Sequence, residues 1–131
     1  MVEVLVDTSV WIDYFLGKSE ARVLERLLQL DMVLGHEWVI GELMVGQRSL
    51  AQDAFIKRVQ MLTMLPVYHL VDVHQFVRKH ALAGEGLSFV DVQLLFGCCI
   101  KGVELWTFDR KLKKAAIKLD CSFDVRQFAL K

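Results

Sequence analysis

With 131 residues, the chain is long enough for one domain with a substantial core, and we expect a single domain over residues 1–131. Its 16 basic side chains balance its 16 acidic ones, so the net charge argues neither for nor against a nucleic-acid partner. No apolar segment reaches the ~18 residues of a membrane span, and the first residues carry none of the positive charge of a secretory signal. We therefore expect a cytoplasmic protein without a membrane partner. The apolar fraction of 54% fits either a dense core or a surface buried against a partner.

Cysteines and histidines give no sign of a disulfide framework or a zinc site. The three cysteines are odd in number and two are adjacent, so we expect reduced, buried thiols at Cys98, Cys99 and Cys121. The four histidines share no ligand spacing, and we assign none of them a metal-binding role.

The first half of the chain predicts strands that alternate with helices. It opens on a Val/Leu run, typical of a strand buried on both faces of a parallel sheet. The predicted elements are a strand at 2–6, helices at 8–16 and 19–30, a strand at 32–34, and helices at 36–45 and 50–63.

The second half continues the alternation. After Pro66 we predict a strand at 67–71, followed by a helix that opens at Asp72 with the capping-box pattern Asp72-x-x-Gln75. The remaining predictions are a very apolar helix at 88–100, a strand at 104–108, a basic helix at 110–119 and a short strand at 123–125. Strands that alternate with helices predict an α/β fold with a parallel sheet covered on both faces.

Two of the predicted helices carry a single acid in otherwise apolar company. Glu42 is the only charged residue in 38–45, and Asp91 is the only one in 89–96. A buried carboxylate costs several kcal/mol unless it is paired or bound to a metal. Each acid also has a local explanation, since Glu42 can pair with Arg48, and Asp91 can complete a capping box with Ser88.

Two further acids directly follow predicted strands. Asp7 ends the first strand and Asp109 ends the strand at 104–108, so in a parallel sheet both lie at the same edge. Each can simply cap the helix that follows it. Asp91 begins the helix that leads into the second of these strands. Acids gathered in one cleft repel one another, and a hard divalent cation such as Mg²⁺ or Mn²⁺ relieves that repulsion. Such a cation can activate water, so a site built of carboxylates favours phosphodiester hydrolysis.

The same residues carry a resemblance to a known family. The segments Asp7-Thr8-Ser9-Val10-Trp11-Ile12, Ile40-Gly41-Glu42-Leu43, Leu87-x-x-x-Asp91 and Leu105-Trp106-Thr107-Phe108-Asp109-Arg110-Lys111-Leu112 occur in this order. In order and spacing they resemble the PIN-domain ribonucleases, specifically the VapC toxins of toxin–antitoxin pairs. The similarity spans essentially the whole chain.

The resemblance implies a fold, an activity and roles for particular residues. The fold is a PIN-like three-layer sandwich with a central parallel sheet of four or five strands. The activity is endoribonuclease cleavage by metal-activated water, with Mg²⁺, or Mn²⁺ in its place, held by Asp7, Glu42, Asp91 and Asp109. Asp7 and Asp91 are implied as the most direct ligands, and the carboxylates are implied to be held by the hydroxyls of Thr8, Ser9 and Thr107. The implied partners are an RNA, possibly tRNA or rRNA, a cognate antitoxin and a second copy of the chain.

The basic helix after Asp109 is the candidate RNA contact, through Arg110, Lys111 and Lys114, although such a run is also typical of a solvated helix face. Two other functions stay open. A haloacid-dehalogenase-type phosphatase also opens with a strand and an Asp, but it needs a second Asp where Ser9 stands. A catalytically inactive domain that binds RNA or a partner is argued against by the presence of all four acids.

Overall fold

The computed structural model describes residues 3–46 and 53–130 of the chain. Within them lie four strands, β1 (Val4–Val6), β2 (Val33–His36), β3 (Thr63–Leu65) and β4 (Glu104–Trp106). They alternate with eight α-helices and a 3₁₀ turn at Ser19–Ala21. The helices are α1 (Thr8–Phe15), α2 (Val23–Gln29), α3 (Glu37–Val45), α4 (Asp53–Gln60), α5 (Leu70–Lys79), α6 (Phe89–Lys101), α7 (Arg110–Lys118) and α8 (Val125–Leu130).

The four strands form one parallel sheet in the order β3-β2-β1-β4. The central strand β1 is buried along its whole length, as its Val/Leu run predicts. Its register pairs Val6 with Trp106 of β4, so both strands end at the same level. This register brings the residues that follow β1 and β4 side by side.

The helices that cover the sheet form two groups, and the helices within each group pack against one another. One group contains α1, α3 and α4, where the Trp11 and Phe55 rings meet edge to face at 6.1 Å. The other contains α5, α6 and α7, where Phe76 stacks on Phe96 at 4.8 Å. The α/β sandwich with a four-stranded parallel sheet is therefore confirmed. In the part of the chain described, no helix is long and apolar enough to cross a membrane.

The predicted strand at 67–71 is wrong. The strand lies earlier, at Thr63–Leu65, and Pro66 ends it because proline has no amide hydrogen for the ladder. The predicted capping box at Asp72 is also wrong, because α5 begins at Leu70 with His69 as its N-cap. The helical pattern of Val73 and Phe76 extends one turn towards the N-terminus and leaves the apolar residues at 70–71 exposed.

Other element predictions need smaller corrections. The helix at 19–30 is divided into the 3₁₀ turn and α2, and the start of the predicted helix at 50–63 lies outside the described residues, with α4 ending at Gln60. The predicted strand at 123–125 is reduced to a single bridge between Ser122 and Leu105, because α8 begins at Val125. Cys98 and Cys121 are buried as predicted, but Cys99 is exposed, which corrects the expectation of three buried thiols.

Candidate active site

Asp7 is a buried acid at the end of β1, and only 7% of its surface is exposed. It occupies the N-cap position of α1, yet its side chain makes no capping hydrogen bond. Instead, its Oδ2 accepts hydrogen bonds from Thr107 Oγ1 at 2.7 Å and from Ser9 Oγ at 2.9 Å. Asp7 is therefore the N-cap residue of α1 by position, but its carboxylate does not cap the helix and is directed towards β4.

The strand register explains these contacts. The Asp7 amide donates to the Trp106 carbonyl at 3.0 Å, which continues the pairing of β1 with β4 by one residue. Two amides of the β4 end then complete the network, since Phe108 N donates to Ser9 Oγ and Asp109 N donates to Thr107 Oγ1, each at 3.0 Å. The two hydroxyls thus fix the Asp7 carboxylate relative to the start of α7.

Asp91 approaches the same edge from the N-terminus of α6. The Ser88 amide donates to Asp91 Oδ2 at 2.9 Å and the Asp91 amide donates to Ser88 Oγ at 3.1 Å, so the predicted capping box is confirmed. Burial raises the pKa of the Asp91 carboxyl, the negative charges of Asp7 and Asp109 raise it further, and the Ser88 hydrogen bonds lower it. Asp91 therefore lies close enough to Asp7 and Asp109 for their charges to raise the pKa of its carboxyl.

Asp109 and Glu42 are the exposed acids of the group. Asp109 caps α7, accepting a hydrogen bond from the Leu112 amide at 3.0 Å, so its predicted capping role is confirmed. Glu42 Oε1 accepts a 2.6 Å hydrogen bond from Thr8 Oγ1, which ties α3 to the first residue of α1. Its other predicted partner, Arg48, lies outside the described residues.

In the described parts of the chain, no basic side chain forms an ion pair with these acids. The ion pairs found there join Lys18 to Asp13 and Arg126 to Asp124, both away from these acids. Over residues 3–46 and 53–130, no three His, Cys, Asp or Glu side chains are grouped so that they could hold a metal ion together. The donor set is nevertheless chemically suited to a hard divalent cation, because it consists of carboxylate oxygens and neutral hydroxyls.

The predicted RNA-contacting residues of α7 are exposed, but one of them also has a structural contact. Arg110, Lys111 and Lys114 all lie on the solvent side of this helix. The Lys111 side chain lies across Gly86 in the loop before α6, with Nζ only 2.8 Å from the place where a Cβ on Gly86 would be. Gly86 also has a φ of +78°, which favours glycine. This contact links the starts of the two helices that carry Asp91 and Asp109.

Sequence reasoning missed an apolar groove beside Glu42. The groove has a cavity volume of about 1010 Å³ and lies between α3, the end of β3 and the start of α6. Trp38 forms part of its wall and contacts Phe89 at 5.5 Å between ring centroids. Several lining side chains are exposed, including Val45, whose exposed fraction is 84%, and Val67. The apolar composition was the only sequence signal for such a surface.

Comparisons with known proteins agree with this architecture. The family model for the PIN domain matches residues 4–118. The chain is 40% identical over 113 residues to Ribonuclease VapC32 of Mycobacterium tuberculosis, in both strain CDC 1551 and strain H37Rv, a match covering 86% of this chain and 89% of that protein.

Two solved structures share the fold. PAE2754 from Pyrobaculum aerophilum matches with a TM-score of 0.65 and 19% identity over 98% of this chain and 93% of its own. Mycobacterium tuberculosis VapC20, described as a sarcin–ricin loop cleaving toxin, matches with a TM-score of 0.61 and 22% identity over 86% of this chain and 95% of its own. Together with the family model and the sequence relative, these findings show that the chain belongs to the PIN-domain family, as a ribonuclease toxin of the VapC type.

Proposed function

We propose that this protein is a divalent-cation-dependent endoribonuclease whose site consists of Asp7, Glu42, Asp91 and Asp109. The observation that carries this proposal is that Ser9 and Thr107 hold the buried Asp7 carboxylate at the end of β1. Burial and the negative charges of Asp7 and Asp109 raise the pKa of Asp91 at the same edge of the sheet. No ion pair within the described residues offsets this charge. A bound Mg²⁺, or Mn²⁺ in its place, supplies positive charge that offsets both the carboxylates and the phosphate under attack.

In this proposal the buried Asp7 and the half-buried Asp91 would bind the cation most directly, and the exposed acids would complete the site. Asp7 and Asp91 are the proposed direct ligands. In the described structure both hydrogen bonds to the Asp7 carboxylate fall on Oδ2, which leaves Oδ1 for the cation. Glu42 and Asp109 face solvent, where they can orient the attacking water. Thr8, Ser9 and Thr107 hold the carboxylates in these orientations.

The RNA substrate is proposed to lie along the start of α7. Arg110, Lys111 and Lys114 follow Asp109 directly and are exposed, so phosphates that contact them lie next to the acids. Because its relative VapC20 is described as a sarcin–ricin loop cleaving toxin, we propose ribosomal RNA as the target, with transfer RNA as the other outcome. Mapping the cleaved ends in total RNA distinguishes the two.

The direct test of this function compares two acid variants, one at the N-cap of α1 and one within that helix. Asp7→Asn is expected to abolish RNA cleavage and the growth arrest caused by expression, and EDTA is expected to abolish cleavage by the parent protein. Asp13→Asn is the matched control, because Asp13 lies on the helix that Asp7 precedes but pairs with Lys18 at 3.5 Å. Full toxicity of a folded Asp7→Asn variant would contradict the carboxylate site.

We further propose that a cognate antitoxin inhibits the enzyme by binding the apolar groove beside Glu42. The groove runs past Trp38 and Val67, so an apolar segment bound there would lie next to Glu42. A neighbouring gene for a small DNA-binding protein with an apolar C-terminal tail is the expected source. Val67→Asp is expected to prevent copurification with that protein, whereas Ile117→Asp, on an exposed position of α7, is expected to leave it intact.

A homodimer in the cytoplasm is the proposed state of the active protein. Exposed apolar side chains outside the groove support a second interface, among them Leu70 and Val71 at the start of α5, with exposed fractions of 71% and 68%. Analytical ultracentrifugation tests this, since charged substitutions at both positions are expected to give monomers. The phosphatase alternative is wrong, because the chain belongs to the PIN-domain family.

A further inference from the structure

Phe89 is an exposed aromatic ring beside the proposed nuclease site. Of the aromatic side chains within the described residues, it alone is exposed, with an exposed fraction of 45%. It is the first residue of α6 and stands two residues before Asp91. Because residues two apart on a helix do not face each other, the ring lies to one side of the Asp91 carboxylate. A molecule bound at the acids can therefore contact this ring.

Trp38 supplies a second ring that packs against Phe89. The two ring centroids are 5.5 Å apart and the ring planes are tilted by 45°. The Trp38 amide donates to His36 Nδ1 at 3.0 Å, and the His36 ring meets the indole edge to face at 6.0 Å. These contacts hold the ring pair of Trp38 and Phe89 in place without a ligand, so little conformational freedom is lost when a ligand binds.

The ring pair borders the same groove as one of the acids. Trp38 and Glu42 both line the groove, and they lie on one face of α3 because they are four residues apart. The surface is thus aromatic at one point and acidic one helical turn further on. A nucleotide matches such a surface, because its base has an apolar face for the rings and its phosphate is attracted by the cation proposed for the acids.

The order of the strands places the ring pair and the basic helix on opposite sides of Asp7. β1, which ends at Asp7, lies between β2 and β4 in the parallel sheet. α3, with Trp38, follows β2, whereas α7, with Arg110 and Lys111, follows β4. An RNA whose phosphates contact the exposed basic residues of α7 can therefore pass the acids and place a base on the ring pair.

We propose that Phe89 and Trp38 form a stacking site for one unpaired base of the RNA, next to the phosphate that is cleaved. The inference rests on the proposed nuclease function and adds a substrate class to it. A base within a duplex is already stacked on its neighbours, so the cleaved segment is a loop, a bulge or another single strand. Because stacking accepts any base, the site selects an unpaired nucleotide and not a particular sequence.

The test measures binding of two single-stranded probes to the full chain carrying Asp7→Asn, in EDTA, by fluorescence anisotropy. One probe is a labelled ten-nucleotide oligo(A), and the other is a ten-residue chain of abasic ribose phosphates with the same label. Adding Phe89→Leu, which keeps an apolar side chain but removes the ring, is expected to weaken binding of oligo(A) at least about fivefold. Binding of the abasic probe is expected to stay unchanged.

Two further variants serve as controls. Phe89→Tyr keeps the ring and is expected to bind both probes as the unsubstituted position does. Phe15→Leu is the matched control, because it removes a ring from another ring pair, that of Phe15 and Phe55, at the C-terminal end of α1. It is expected to leave both affinities unchanged. In the cleaving parent, Phe89→Leu is expected to raise KM by a similar factor while kcat stays near that of the parent.

Three results would overturn the stacking site. The first is unchanged binding of oligo(A) by Phe89→Leu, and the second is an equal loss for the abasic probe. The third is unchanged RNA affinity with loss of copurification with the protein of the neighbouring gene, which would assign the ring pair to a protein partner. Failure of the proposed function is a separate result, because it would appear as RNA cleavage by Asp7→Asn, whereas the binding measurements require no cleavage.

Discussion

The Thr107 hydroxyl donates a 2.7 Å hydrogen bond to Asp7 Oδ2 across 100 residues of sequence. This contact exists because β1 and β4 are parallel neighbours whose ends are in register. Thr107 and Ser9 together direct the Asp7 carboxylate away from the amides of α1. The side chain at this N-cap position is therefore held in place by the two hydroxyls and does not cap the helix. The proposed cation site depends on this orientation.

Removing the Thr107 hydroxyl is expected to impair the site without unfolding the chain. Thr107→Val keeps the shape of the side chain but leaves Asp7 Oδ2 with one hydroxyl donor fewer. We expect RNA cleavage to fall roughly 10–100-fold and the required Mn²⁺ concentration to rise. Thr107→Ser keeps the donor and is the control, expected near the parent activity. Equal cleavage by the Val and Ser variants would show that the hydrogen bond does not matter.

The raised pKa of Asp91 predicts that this acid destabilises the metal-free protein at neutral pH. A carboxyl whose pKa is higher in the folded state contributes stability below its ordinary pKa of 3.8, and that stability is lost as the pH rises through the folded pKa. Asp91→Asn keeps an oxygen that can accept from the Ser88 amide. In EDTA at pH 7, its Tm is therefore expected to exceed that of the parent.

The same comparison at lower pH supplies the control for Asp91→Asn. The advantage of the variant is expected to shrink as the pH falls towards 3.8, because the parent carboxyl is then also uncharged. Thermal melts across this range measure the difference. A lower Tm of Asp91→Asn at neutral pH, or a difference that does not change with pH, would contradict the repulsion inferred at this edge.

A second pH dependence is expected from His36. Its Nδ1 accepts a 3.0 Å hydrogen bond from the Trp38 amide and so caps α3, the helix that carries Glu42. Burial lowers the pKa of the imidazole, opposed by Glu37 and the Pro66 backbone. The stability that neutral His36 contributes is fully present above the ordinary histidine pKa of 6.5. It is lost as the pH falls through the pKa of His36 in the folded protein.

His36→Asn tests this dependence because Asn is a good N-cap that does not titrate in this range. The free energy of unfolding of the parent is expected to decrease below pH 6.5 more steeply than that of His36→Asn. Urea unfolding at several pH values gives both curves. Parallel curves would mean that His36 protonation is not linked to the α3 cap.

Lys111 can be tested for packing and charge separately. Lys111→Met keeps an unbranched chain across Gly86 and is expected to preserve stability while it lowers RNA affinity, with a salt slope smaller by about 0.7. Lys111→Ala removes both contributions. Binding to uncleaved RNA can be measured in the Asp7→Asn background, with Lys101→Met as the control at an exposed position of α6. An unchanged salt slope for Lys111→Met would mean that Lys111 contacts Gly86 but does not bind RNA phosphates.

The sequence predicted the positions of those site residues that directly follow a strand. Asp7 and Asp109 could be placed at one edge because each follows a short apolar strand in an alternating pattern. The edge strand was misplaced because β3 buries only Leu65, so its composition hardly differs from that of a loop, whereas Val67 and the residues after it resemble a strand. Contacts between distant side chains, such as Lys111 with Gly86, leave no periodic signal and could not be predicted.

Equilibrium binding of Mn²⁺ shows whether the carboxylates at the end of β1 bind a divalent cation. Electron paramagnetic resonance of free Mn²⁺ can compare the parent with Asp7→Asn and with Asp13→Asn, whose acid pairs with Lys18. We predict that the parent and Asp13→Asn bind Mn²⁺ equally and that Asp7→Asn loses this binding. Binding of Mn²⁺ by folded Asp7→Asn as tight as that of the parent would mean that the Asp7 carboxylate does not bind the cation.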